Sequence, residues 1–177
     1  MTSARKTIDE INALDQEAFV ATLGSLFEAS PWIAAEAWRG RPFASIAHLH
    51  RVLCDVMYHA STAQQVALIR AHPDLVGKAA LAGTLTPEST REQASASLDR
   101  LSPEEIATFT RLNQAYKDRF GFPFVICARE NKKDSILAGF ARRLDNSRAE
   151  EIAAALGEIA KISYLRLLDK VATEDQS

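Results

Sequence analysis

The sequence has few cysteines, no long apolar run and almost no excess of charge of either sign. Its 177 residues include two cysteines, Cys54 and Cys127, which lie far apart and form no CxxC pair. A disulfide framework is therefore excluded, and buried free thiols in a reducing compartment are expected. No stretch approaches ~20 apolar residues, and the stretch MTSARKTIDEINALDQ has no apolar core of signal-peptide length. We therefore expect a soluble, unexported, cytoplasmic protein.

Charge and histidine spacing exclude further classes. Lys and Arg number 21 and Asp and Glu number 23, which gives a formal net charge of −2. This balance gives no electrostatic reason to expect nucleic acid or an anionic membrane as a partner. The four histidines are His48, His50, His59 and His72, and no two have the i, i+4 spacing that places two zinc ligands on one helix face. We expect no metal site.

Helical periodicity dominates what is present. Phe19, Leu23, Leu26 and Phe27 share one face of a helix that Asp15 can cap. Further cap residues, most followed by proline or an acid, predict helix starts at Ser30, Ser45, Thr86, Ser102 and Ser147. The length suits one domain, because a chain of this size buries ~70% of its unfolded surface. We predict an all-α fold, with residues 1–177 forming a single compact helical domain of about eight helices.

One segment does not fit the helical pattern. In FGFPFVICARENK, residues 120–132, Gly121 and Pro123 break the helix, and Phe124 to Cys127 is a short apolar run. We predict a short extended segment near residues 122–128. An extended segment with no partner strand leaves backbone N–H and C=O groups to be satisfied elsewhere. Either neighbouring helix ends or a ligand can supply those hydrogen bonds.

Two groups of polar residues lie near predicted helix ends. His72 stands between a helix predicted over 62–71 and Pro73, where its imidazole either bonds a helix-end carbonyl or belongs to a site. Ser89, Glu92 and Gln93 have i, i+3 and i+4 spacing and share one helix face. That face is either a solvated first turn, where the helix dipole favours acids, or part of a binding site.

Arg166 is a charged residue on a predicted apolar stripe. At about 100° per residue it falls in the sector of the last helix that holds Ile152, Leu156, Ile159 and Ser163. An unpaired buried charge is very costly. The guanidinium must therefore reach outward to solvent, or meet a carboxylate or a ligand anion.

Taken together, these stretches resemble one family. The Ser30-Pro31-Trp32 start, HPDLVGKAALAGTLTPESTREQ and LNQAYKDRFGFPFVICAR occur in this order, and the resemblance covers nearly the whole chain. The family is that of the 2-oxo-4-hydroxy-4-carboxy-5-ureidoimidazoline (OHCU) decarboxylases of the urate-to-allantoin pathway. This chain departs from it at Ser97-Leu98, where the family usually has Gly-Leu.

The resemblance implies a cofactor-independent decarboxylase, acting on the small molecule OHCU as a homodimer. It implies that His72 and Glu92 are the catalytic pair. The residues that it assigns to the substrate are Pro73, Ser89, Thr90, Arg91, Gln93 and Arg166, with the extended backbone of Phe124, Val125, Ile126, Cys127 and Ala128.

Two other functions are compatible with a helical domain. A non-catalytic ligand-binding or scaffolding domain needs the pocket but not an acid–base pair, so His72 and Glu92 favour the enzyme. A thiol-dependent, peroxidase-like protein is disfavoured, because there is no CxxC and Cys127 has no adjacent base.

Overall fold

A computed structural model describes residues 4–173, and within that range the chain is helical. The predicted all-α fold class is confirmed, with more helices than the eight or so expected. The ten α-helices of the described range are α1 (Ile8–Asn12), α2 (Gln16–Leu23), α3 (Pro31–Ala37), α4 (Ile46–His59), α5 (Thr62–Arg70), α6 (Lys78–Ala82), α7 (Pro87–Ser95), α8 (Pro103–Phe120), α9 (Lys133–Arg143) and α10 (Arg148–Lys170).

Most of the predicted helix starts have the expected caps. The side chains of Asp15, Ser45, Thr86 and Ser102 each accept a hydrogen bond from the backbone N–H three residues on. Ser147 does the same at the start of α10, and Glu150 bonds back to it in a capping box. Ser30 is the exception: it occupies the cap position of α3, but its hydroxyl donates to the Glu28 carbonyl at 2.8 Å.

The chain forms two compact units. The first comprises residues 4–68 and 160–173 of the described range. The predicted stripe of Phe19, Leu23, Leu26 and Phe27 is buried there. Near the two ends of the described range, Lys6 and Val171 form a parallel β-bridge, with Lys6 N–H donating to Lys170 O at 3.0 Å and Ala172 N–H to Lys6 O at 2.8 Å.

The second unit, residues 69–159, has an aromatic core and contains the extended segment. The rings of Phe124 and Phe140 stack with centroids 3.8 Å apart, and the Tyr116 ring meets both edge-on. Gly121 ends α8 in the left-handed conformation, with φ of 79°, and residues 123–127 are then neither helix nor strand. Ala128 begins a short 3-10 helix, Ala128–Glu130, so this stretch ends at Cys127, where the predicted apolar run from Phe124 also ends.

Candidate functional site

His72 lies in the turn that follows α5, at a position where proline prevents the helix from continuing. Its N–H donates to the Ile69 carbonyl at 3.1 Å, and the residue is only 8% exposed. Pro73 follows it and is half-buried. The chain then turns at Val76, which has a φ of 54°. A β-branched residue with positive φ is strained, so the surrounding contacts must hold this loop in place.

Three side chains hold the loop that carries His72. Gln93 Oε1 accepts from the Val76 N–H at 3.0 Å, and Gln93 Nε2 donates to the Asp74 carbonyl at 3.4 Å. Asn113 Nδ2 donates to the Leu75 carbonyl at 2.8 Å, and Lys117 Nζ lies 2.6 Å from Asp74 Oδ2. Both the oxygen and the nitrogen of the Gln93 amide therefore bind backbone groups of this loop.

The polar face of α7 lies beside this loop. Ser89 and Gln93 are buried and Glu92 is half-buried, so these three residues are not a solvated first turn. Thr90 and Arg91 are exposed, and the Thr90 hydroxyl donates to the Thr86 carbonyl of its own helix. The assignment of Thr90 and Arg91 to substrate stays a prediction.

The extended segment is close to α7 as well. Its four residues from Phe124 to Cys127 are buried, as is Ala128, and α7 packs against the 3-10 helix that Ala128 begins. Burial raises the pKa of the Cys127 thiol to about 11, and the carboxylates of Glu130, Glu158 and Glu92 add to that rise. The thiol is therefore protonated at neutral pH, which disfavours a thiolate mechanism.

Neighbouring helices satisfy part of the segment's backbone. Arg143 Nη1 donates to the Val125 carbonyl at 2.6 Å, and the Cys127 N–H donates to Glu158 Oε2 at 3.2 Å. Asn131 Nδ2 donates to the Cys127 carbonyl at 2.9 Å. Protein side chains thus account for the groups at Val125 and Cys127, and of these side chains only that of Arg143 lies at the end of an α-helix.

Arg166 belongs to the first unit. It is 3% exposed, so it does not reach outward to solvent. Its Nη2 lies 2.9 Å from Glu28 Oε1, and its Nη1 donates to the Ser25 carbonyl at 3.3 Å. Of the alternatives open for this buried charge, the structure shows pairing with a carboxylate.

Four further polar residues of the second unit were not predicted from the sequence: Asn113, Arg143, Glu151 and Glu158. Asn113 had a usable signal, because it lies on the buried face of α8 between Phe109 and Tyr116. Glu151 resembles an ordinary acid in a first helical turn, and Arg143 an ordinary base in a last turn.

Within residues 4–173, no group of three or more His, Cys, Asp or Glu side chains is placed to hold a metal ion.

Comparison with known proteins identifies the family of this chain. The sequence profile described as OHCU decarboxylase matches residues 12–168. The chain belongs to the OHCU decarboxylase family. A family member named 2-oxo-4-hydroxy-4-carboxy-5-ureidoimidazoline decarboxylase from Amia calva is 44% identical over 90% of this chain and 91% of its own length. One of the same name from Haloferax volcanii is 40% identical over 95% of this chain and 98% of its own.

A solved structure shares the fold of this OHCU decarboxylase family member. The crystal structure of (S)-allantoin synthase superposes with a TM-score of 0.74 at 26% identity, covering 95% of this chain and 54% of that one. Among residues 4–173 of this chain, no helix is both long and apolar enough to cross a membrane.

Proposed function

We propose that this chain catalyses the decarboxylation of OHCU to (S)-allantoin in urate degradation, without a cofactor. Family membership supports the reaction, since relatives named for this activity match nearly the full chain. The structural observation that supports it most directly lies within residues 69–159. There the His72 loop, the polar face of α7 and the extended segment lie together.

The substrate's chemistry explains why so few protein groups suffice. Its carboxylate is attached to C4, next to the ring C=N carbon that bears the ureido group, so the electron pair left by departing carbon dioxide passes into that C=N group and on towards the conjugated C2 carbonyl. An external electron sink is then unnecessary. The protein must orient the scissile bond, stabilise the developing oxyanion and deliver one proton to one face of the product.

His72 and Glu92 are the residues that we assign to proton transfer. Imidazole titrates near neutral pH, and a carboxylate can set its tautomer and raise its basicity. The burial of His72 and the half-buried position of Glu92 suit a reaction from which water is excluded. Gln93 supports this pair by holding the His72 loop, in addition to the substrate contact that the family resemblance implies.

We also propose that the chain acts as a homodimer in the cytoplasm. The family resemblance implies the dimer, and free buried thiols at Cys54 and Cys127 suit a reducing compartment. Light scattering after size-exclusion chromatography should give about twice the mass of one chain. The mass of a single chain would contradict the dimer and leave the reaction assignment standing.

Circular dichroism of freshly generated OHCU tests the proposed reaction. Spontaneous decay yields racemic allantoin, whereas a proton delivered to one face by the enzyme yields a single enantiomer. We expect the purified chain to accelerate decay and to produce the (S) signal. An unchanged rate and a racemic product, with OHCU bound, would favour the non-catalytic ligand-binding alternative.

The proposed absence of a cofactor gives a separate prediction. Exhaustive dialysis against a chelator should leave turnover intact, because the substrate carries its own electron sink. The check is kcat before and after dialysis, with a mock-dialysed sample as the control. Activity that is lost and then restored by one divalent metal would contradict this prediction.

A further inference from the structure

A buried ionic network lies behind the extended segment. Glu151, in the first turn of α10, is fully buried, and burying a carboxylate is very costly unless donors surround it. Its Oε1 accepts from the Tyr116 hydroxyl and from Arg143 Nε at 2.8 Å, and its Oε2 accepts from Asn146 Nδ2 at 2.8 Å. Burial and the Glu151 carboxylate raise the pKa of Tyr116, so its hydroxyl stays protonated and able to donate.

The network reaches the extended segment through Arg143. While Nε binds Glu151, Nη1 donates to the Val125 carbonyl at 2.6 Å, and the guanidinium carbon lies 4.3 Å from the Phe124 ring centroid. A planar guanidinium held by a carboxylate at one edge presents its other N–H groups in a fixed direction. Glu151 therefore fixes Arg143, and Arg143 fixes the Val125 carbonyl.

A second contact holds the next peptide group. The Cys127 N–H donates to Glu158 Oε2 at 3.2 Å. In a trans peptide the C=O and N–H point in opposite directions. Fixing the Val125 C=O therefore directs the Ile126 N–H away from Arg143, and fixing the Cys127 N–H directs the Ile126 C=O away from Glu158. Within residues 4–173, no hydrogen bond engages either backbone group of Ile126.

We infer that Arg143 is a positioning residue, which orients the Ile126 N–H and C=O as an adjacent donor and acceptor for the substrate. A ureido group and a cyclic amide each carry N–H and C=O side by side, so they can match such a pair. Arg143 acts on the substrate only through the backbone. This inference rests on the proposed function, since it concerns the same substrate.

The decisive comparison uses Arg143→Lys and Tyr116→Phe. Lysine keeps a positive charge beside Glu151 but cannot bind Glu151 and the Val125 carbonyl together as the guanidinium fork does. We expect KM to rise about tenfold, the effect of one misplaced hydrogen bond, with a smaller change in kcat. Tyr116→Phe removes a donor from Glu151 but leaves the Arg143 fork in place, so it should lower the melting temperature with KM unchanged.

The exposed neighbour Arg142 supplies the matched control, and Arg142→Lys should leave KM and melting temperature unchanged. A folded Arg143→Lys protein with wild-type KM would overturn the inference. So would an equal rise in KM in Tyr116→Phe, because general loosening of the core would then explain both. An inactive wild-type chain would instead count against the proposed function.

A measurement on the wild-type chain covers the case in which Arg143→Lys fails to fold. Amide hydrogen exchange at Ile126 should slow when (S)-allantoin is added, because the product shares the ureido group and the ring amide. Exchange at Ile126 that is unaffected by saturating allantoin would overturn the inference.

Discussion

His72 and Arg166 are both buried polar residues, but their surroundings differ. His72 lies in a strained loop that α7 and α8 hold by three side chains. Arg166 lies within a long helix and is paired with Glu28. Strain that is held in place by its surroundings is more typical of functional sites than a satisfied ion pair is. The case for a role in the reaction is therefore stronger for His72.

The catalytic pair can be tested by truncation. His72→Ala or Glu92→Ala should lower kcat on the order of 10²-fold or more and leave the helical fold intact, because each removes a proton-transfer group. His59→Ala is the control, since His59 is exposed at the end of α4. The measurements are kcat and far-ultraviolet circular dichroism. A folded His72→Ala protein with near-normal turnover would mean that another group delivers the proton.

Arg166→Lys separates substrate binding from simple ion pairing. Lysine can keep the ion pair with Glu28, but it cannot also bind the Ser25 carbonyl and a planar substrate edge. We expect a higher KM and a nearly unchanged melting temperature, with the exposed Arg111→Lys as control. Unaltered KM and kcat would contradict a role for Arg166 in substrate binding and leave it a structural partner of Glu28.

At the scale of single elements, the end of α7 explains the one visible departure from the family pattern. Ser97, where the family usually has glycine, adopts a left-handed φ of 62° directly after this helix. Its N–H donates to the Ala94 carbonyl at 2.9 Å, and the Leu98 N–H donates to the Gln93 carbonyl at 3.0 Å. The helix thus keeps the ending that glycine favours, at the conformational cost of a Cβ.

Ser97→Gly should therefore stabilise the protein. The gain is about 1 kcal/mol in the free energy of unfolding, since glycine adopts positive φ without the steric penalty of a Cβ. Urea titration measures it. Ser97→Ala is the control, because it removes the hydroxyl but keeps the Cβ, and it should bring no gain. A stabilised alanine variant would show that the hydroxyl, rather than the backbone conformation, is the unfavourable feature.

Helix starts were predictable from sequence because a cap bond joins residues three apart. The cap at Ser45 needs only Ser45 and the backbone of His48. Ser30 makes no such bond, because its ψ of 55° is outside the extended backbone region in which a cap hydroxyl faces the first helical N–H groups. The contacts that build the site span much longer separations, such as Asn113 to Leu75 and Arg143 to Val125. No local pattern specifies them, and the site residues themselves were found through family resemblance.

At the scale of the whole molecule, each unit carries one buried thiol. Burial raises the pKa of both Cys54 and Cys127 to about 11, well above the value of about 8.5 for a free cysteine. Between these values the unfolded chain loses protons that the folded chain keeps. The free energy of unfolding should therefore fall as pH rises from about 8.5 towards 11.

Urea midpoints at pH 7.5 and pH 10 test this linkage. The wild-type midpoint should fall over this interval by more than that of the Cys54→Ala, Cys127→Ala double variant. Lysine and tyrosine titrate in the same range, but both proteins contain the same lysine and tyrosine residues, so their contributions cancel when the two midpoint changes are compared. Equal falls in the two proteins would show that the thiols do not contribute to the loss at alkaline pH.

The parallel bridge between Lys6 and Val171 has a mechanical consequence. Because the two segments run in the same direction, residues before Lys6 and residues after Val171 leave the bridge in opposite directions. Tension applied between residues 4 and 173 would therefore act along the bridge and load its two hydrogen bonds together. An antiparallel bridge pulled in the same way would peel open one bond at a time. The Lys6–Val171 bridge is therefore expected to resist small forces that pull residues 4 and 173 apart, because both hydrogen bonds must break together before the first unit is extended.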